Sequence, residues 1–141
     1  PFRAYINYDR ITYTRQNLNN KKEVYEYVSE WQENKHTSMV EISPLGSRVV
    51  ALRGSAVGQN QKIYEMVASA GGILQERPVA LPGNYSIESL TLVNENQALV
   101  SVIDTASPIT KSMIVSIDLR TDSWSVLREG SVGVVLVAIN M

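Results

Sequence analysis

The sequence predicts a mainly β fold: an antiparallel β-sandwich or jelly roll, or a propeller-like meander, with room for one short helix near residues 20–34. Two features carry this expectation. Short runs rich in β-branched and aromatic residues are broken at close intervals by Gly, Pro and Asn turn signals, as in antiparallel sheets. Within several runs, apolar residues recur at every second position, as a strand with one buried face requires.

Taken in order, Phe2, Ala4, Ile6 and Tyr8 alternate and suit a half-buried first strand. The polar Asn7-Tyr8-Asp9-Arg10 turns the chain into a second strand at 11–14, and 17–22 is a polar loop. Further strands are expected at 39–43, 48–52, 62–68, 73–79, 87–93, 98–103, 112–119, 123–127 and 132–139. Between them lie Pro44-Leu45-Gly46-Ser47, Gly71-Gly72, Pro82-Gly83-Asn84, Asn94-Glu95-Asn96 and Arg120-Thr121-Asp122, residue types that satisfy turn dihedrals.

Residues 23–34 support two structures. As a helix, Asn20 caps, Glu23 completes a capping box, and Val24, Tyr27, Val28 and Trp31 form an apolar stripe. As a strand, Tyr25, Tyr27 and Trp31 share a face at period two. Local signals favour the helix.

A shift of fifty positions puts Val40 opposite Leu90, Ile42 opposite Leu92, Val49 opposite Leu99, Leu52 opposite Val102, Ile63 opposite Met113 and Leu74 opposite Trp124. Gly46 and Asn96, both in turns, also coincide, although residue identity at this offset is almost nil. Val24-Tyr25-Glu26-Tyr27-Val28 also matches Ile63-Tyr64-Glu65-Met66-Val67 at its Tyr, Glu and final Val, which would make it a strand. The chain then divides into about three four-stranded meanders followed by one extra strand.

The phrase Ser112-Met113-Ile114-Val115-Ser116-Ile117-Asp118-Leu119-Arg120-Thr121-Asp122-Ser123-Trp124 resembles a hairpin of a β-propeller blade: an apolar strand ending in Asp, a Thr-containing turn, and an aromatic opening the next strand. That resemblance implies a segment of a protein–protein scaffold, which a longer chain or an oligomer would have to complete, because three blades do not close a ring. Leu81-Pro82-Gly83-Asn84-Tyr85 and the strand after it resemble instead the phrasing of jelly-roll structural proteins.

Composition narrows the function. The length suits one β-rich domain spanning 1–141, and the start at Pro1 suggests a processed chain or a piece excised from a longer one. The net charge is −1 with both signs interspersed, so the basic stripe of a duplex binder is missing and no nucleic acid is expected. No apolar run approaches the roughly 18 residues that span a bilayer, so membrane insertion is not expected. Charged residues make up only 19% of the chain while Ser, Thr, Asn and Gln are plentiful, a surface common in secreted adhesins and viral or phage structural proteins. That points to an extracellular or virion-surface setting.

Catalytic material is scarce. Without cysteine there is no disulfide, thiolate site or cysteine nucleophile, and with one histidine there is no usual zinc set, so neither metal nor cofactor is expected. A serine hydrolase would rest entirely on His36, beside Thr37-Ser38, and no nucleophile elbow is present. Asp118 and Asp122 flank a turn without calcium-loop spacing.

Aromatic placement is uneven. Phe2, Tyr5, Tyr8, Tyr13, Tyr25, Tyr27 and Trp31 all lie in the first 31 positions, with Arg3, Arg10 and Arg15 among them. Tyr and Trp offer large contact area at small entropic cost. The candidate ligand-binding residues are therefore Tyr5, Tyr8, Arg10, Tyr13 and Trp31, on a non-enzymatic module that binds a protein or glycan receptor or joins an oligomer or larger assembly.

Overall fold

A computed structural model describes residues 2–7, 10–16, 24–30, 32, 35–55, 61–81, 85–104 and 111–131. These residues are mainly β, with a single 3-10 turn, Ala70–Gly72, as their only helical element. The chain separates into two compact units, Pro1–Pro78 and Val79–Met141.

The first unit contains seven strands: β1 (Phe2–Asn7), β2 (Arg10–Gln16), β3 (Val24–Ser29), β4 (His36–Ile42), β5 (Val49–Gly54), β6 (Lys62–Ser69) and β7 (Ile73–Pro78). Their order, β1-β2-β3-β7-β6-β5-β4, makes one mixed sheet, and β1 also lies near β4, so the sheet is a nearly closed barrel. All pairs are antiparallel except β3–β7, joined in parallel through Val28↔Ile73 and Ser29↔Leu74. Strand alternation sends Ile11, Val49, Ala51, Met66 and Leu74 into a buried cluster against which Ala4, Tyr13, Tyr27, Val40, Ile42 and Tyr64 pack. Each fully buried aliphatic side chain contributes roughly 1.5–3 kcal/mol.

The helix expected near 20–34 is not what Val24–Ser29 adopt. They form β3, with Tyr25 opposite Arg15 and Tyr27 opposite Tyr13 across the β2–β3 ladder. Alternating Tyr25, Tyr27 and Ser29 share one face, and the Ser29 hydroxyl accepts a buried hydrogen bond from the Ile11 amide at 2.8 Å. Partners distant in sequence therefore override the local capping pattern. The loop expected at 17–22 and the strand expected at 132–139 lie outside the described residues.

Closure of the barrel depends on the turn between β4 and β5. Gly46 has a φ of +75°, in the left-handed region, and a Cβ there would sit 2.7 Å from the Phe2 ring. The Tyr13 hydroxyl donates to the Gly46 carbonyl at 3.1 Å. A single glycine thus receives a ring from β1 and a hydroxyl from β2.

The second unit is a four-stranded antiparallel meander of β8 (Tyr85–Asn94), β9 (Gln97–Asp104), β10 (Lys111–Asp118) and β11 (Ser123–Ser131). Three rows of buried side chains cross it: Ile87–Val102–Met113, Leu90–Val100–Val115 and Leu92–Ala98–Ile117. Ile87 and Leu90 are three apart, and a β-bulge between Ile87 and Ser89 restores both to one face. Tyr85 begins β8 and Trp124 is the second residue of β11, the two outermost strands, yet their rings meet edge-on at 6.2 Å, so the sheet coils until diagonal corners approach.

The fifty-residue correspondence has a structural counterpart. β4–β7 and β8–β11 are both antiparallel meanders, and the paired positions fall on corresponding strands. Leu52↔Ile63 matches Val102↔Met113, and Tyr64↔Pro78 matches Ile114↔Arg128. The first hairpin of each run carries a bulge at the equivalent site, Thr37/Met39 and Ile87/Ser89, although its register differs by one residue.

Two outcomes are expected in denaturation experiments. Gly46→Ala should lower stability by about 1–3 kcal/mol, because it adds left-handed strain to a clash with Phe2. In a Phe2→Ala background the clash disappears and a penalty of about 1 kcal/mol should persist. Burial raises the Glu41 carboxyl above its ordinary value. The fold therefore favours the protonated form, a benefit complete below the ordinary carboxylate range and lost as pH rises through the raised value. Glu41→Gln should melt higher than the parent at neutral pH, and the two curves should converge on acidification.

Candidate functional site

At the end of the barrel formed by the β4–β5 and β6–β7 turns, a half-open cleft of about 350 Å³ enters the first unit. Val49, Met66 and Leu74 contribute apolar lining, Tyr13 and Tyr27 contribute aromatic lining, and Arg15, Arg48 and Glu65 contribute charge. The volume is at the lower end of small-ligand sites.

Register places the rings. Tyr13 and Tyr27 are direct partners across β2–β3, with centroids 6.1 Å apart and planes tilted by 32°. Tyr13 is fixed further by its bond to Gly46, so its ring is held rather than free to rotate away. Two positions along β2, Arg15 shares the face of Tyr13, and its guanidinium lies 5.4 Å from the centre of the Tyr25 ring. The opposite side carries a charge cluster: Arg48 bonds Glu65 Oε2 at 2.5 Å, and Arg77 lies 3.6 Å from the same oxygen. Glu65 is 9% exposed, so the two guanidiniums offset the cost of its burial.

A second recess, about 180 Å³, is bordered by Ser29, Gln32, Arg53, Met66 and Glu76. Arg53 is 2% exposed, with Nε donating to Thr37 Oγ1 at 3.0 Å and a terminal nitrogen bonding Glu76 Oε2 at 3.0 Å. Lys35 binds the other Glu76 oxygen and stands 4.4 Å from the Tyr64 ring centre. Arg53, Thr37, Glu76 and Lys35 are all engaged with one another, so they read as a structural brace. In the second unit, an open recess of about 530 Å³ is lined by Asn94, Gln97, Ser116, Asp118 and Arg120. Its side chains bond one another: Gln97 to Ser116 at 2.9 Å, and Arg120 to Asp118 at 3.0 and 3.2 Å. It has no aromatic wall.

Of the expected ligand-binding residues, Tyr13 lines the cleft. Alternation puts Tyr5 and Arg10 on the opposite face of the β1–β2 ladder, where Arg3 stacks over the Tyr5 ring at 4.5 Å. Tyr8 and Trp31 lie outside the described residues. Arg48, Glu65 and Met66 carry no local signal in the sequence; pairing with Val49 across β5–β6 brings Met66 to the cleft, while Glu65, opposite Val50 and so on the other face of the ladder, borders it together with the Arg48 it bonds. His36 begins β4 opposite Gly54, and the Ser38 hydroxyl two residues on is engaged by the Leu52 carbonyl and the Gln61 side chain. Among the described residues no group of three or more acidic, His or Cys side chains is placed to hold a metal, and no helix is long and apolar enough to cross a membrane.

Comparison with protein-family models, with curated proteins and with solved structures finds no match for this chain.

The brace can be tested by removing its cation. Arg53→Met should cost about 3 kcal/mol, since Thr37 and Glu76 lose their buried partner, while Thr37→Val should cost about 1 kcal/mol. Both are measured by chemical denaturation.

Proposed function

We propose that this chain is a non-enzymatic binding module and that its barrel cleft receives a glycan, as in a receptor-binding domain of a secreted adhesin or a virion surface. The observation that carries this is the Tyr13–Tyr27 pair, locked by the β2–β3 register and the Gly46 carbonyl, beside charged side chains in a preformed cleft. Sugar rings present apolar faces edged by hydroxyls. Fixed aromatic faces cover the former, and guanidinium and carboxylate groups bond the latter.

A second function is favoured by a separate observation. The shared meander order of β4–β7 and β8–β11, with matched register in the middle hairpin, suits a scaffold built from repeated four-stranded units, such as a propeller-like assembly. The outermost strand β11 presents exposed Trp124, Val126 and Leu127, apolar surface of the kind that subunit contacts cover.

Two measurements separate these functions. On a glycan array, the parent should bind a restricted set of saccharides, and Tyr27→Ala should bind them about ten-fold more weakly, a loss of ~1.4 kcal/mol. Unchanged binding in that variant would remove the cleft from consideration. In light scattering across a concentration series, an assembly through β11 should give oligomers that Val126→Lys disperses. A strict monomer at every concentration would argue against the scaffold.

A further inference from the structure

Resting on the cleft as the binding site, we infer that its ligand is anionic, a saccharide bearing a carboxylate or sulfate group, and that Arg15 reads the charge.

The cleft lining is unbalanced in charge. Arg15 and Arg48 are basic, and Glu65 is the acidic side chain beside them. Glu65 is already committed: one of its oxygens bonds Arg48 and lies within ion-pair distance of Arg77. Its charge is therefore spent against two guanidiniums inside the wall. Arg15 differs. It is exposed, it sits on the Tyr13 face of β2, and no carboxylate pairs with it among the described residues. Its guanidinium lies against the Tyr25 ring, which orients it without neutralising it.

Geometry then sorts the roles. The tilted Tyr13–Tyr27 pair offers aromatic surface to a sugar ring, and Arg15 stands two strand positions from Tyr13 on the same face. A planar guanidinium offers two parallel N–H donors to the two oxygens of a carboxylate or sulfate, a match that a hydroxyl cannot make. A ligand with its ring on the tyrosines and its acid group at Arg15 would meet both features. A neutral sugar would leave the guanidinium without a partner.

Calorimetric titration of the intact chain with three tetrasaccharides tests this: one neutral, one containing uronate and one sulfated. The acidic tetrasaccharides should bind at least ten-fold more tightly than the neutral one, and the preference of uronate over sulfate identifies the anionic group. Arg15→Gln should abolish that preference, whereas Tyr27→Ala should weaken all three. Arg128→Gln, which removes an exposed cation from the other unit, should change nothing. Melting temperatures close to the parent confirm folding of each variant. Equal binding of neutral and acidic sugars, or a preference surviving Arg15→Gln, overturns the anionic ligand while leaving the cleft as a site. Equal losses in Arg15→Gln and Arg128→Gln reveal general polyanion attraction and overturn it too. If no saccharide binds, or Tyr27→Ala binds as the parent does, the cleft itself is not the site and this inference falls with it.

Discussion

The left-handed turn at Gly46 is the constraint on which the first unit depends. Any side chain there would strike the Phe2 ring, which occupies the space a Cβ would need. The same residue's carbonyl receives the Tyr13 hydroxyl. β1 and β2 reach the β4–β5 turn through this one residue, although more than thirty positions separate Tyr13 from Gly46 in sequence. Barrels need their first and last strands to meet, and edges left apart expose unpaired backbone. Gly46 therefore links closure of the sheet to the placement of Tyr13, and so to the aromatic wall of the cleft.

Charge inside such a small barrel is managed by sharing. Glu76 takes Arg53 on one oxygen and Lys35 on the other, while Glu65 takes Arg48 and Arg77 on a single oxygen. Among the described residues, every buried side-chain nitrogen or oxygen has a hydrogen-bond partner. Leaving such groups unpaired would cost more than most single contacts supply, so these clusters specify which registers of β5, β6 and β7 are tolerable. A shift of one residue would point Arg53 and Glu65 to the wrong faces.

Strand positions were largely legible because alternation and turn chemistry are local properties. The runs beginning at Val49, Ile73 and Gln97 show this, each bounded by residues that only a turn accommodates. β3 was not legible. Val24, Tyr27 and Val28 also satisfy a helical stripe, and only the pairing with β2 and the short parallel contact to β7 decide between the two. The site divides along the same line. Tyr13, Arg15 and Tyr27 belong to an aromatic and basic cluster visible in the first 31 residues, whereas Arg48 and Glu65 come from strands whose register no local pattern reveals. Tyr5 shows the limit from the other side: it is near Tyr13 in sequence but faces away from it, because strands send neighbours to opposite sides.

The two four-stranded runs show how one local design takes on different duties. Leu74 of β7 and Trp124 of β11 coincide at the fifty-residue offset, yet Leu74 is 3% exposed and Trp124 is 41% exposed. Leu74 pairs with Ala68, whereas a register shift at Ile114/Val115 sets Trp124 against Ile117, so the two side chains take different faces. The neighbouring strands differ as well. β7 has β3 on its far side, with Ser29 directly opposite Leu74, whereas β11 has β10 as its only neighbour among the described residues. In the first run, the added β1–β2–β3 ribbon converts an exposed edge into the interior of a barrel and brings Tyr13 and Tyr27 over Met66 and Leu74. In the second, the equivalent edge keeps its aromatic at the surface. The cleft thus has two sources: the ribbon supplies its aromatic wall of Tyr13 and Tyr27, and the β4–β7 run supplies Val49, Met66, Leu74, Arg48 and Glu65.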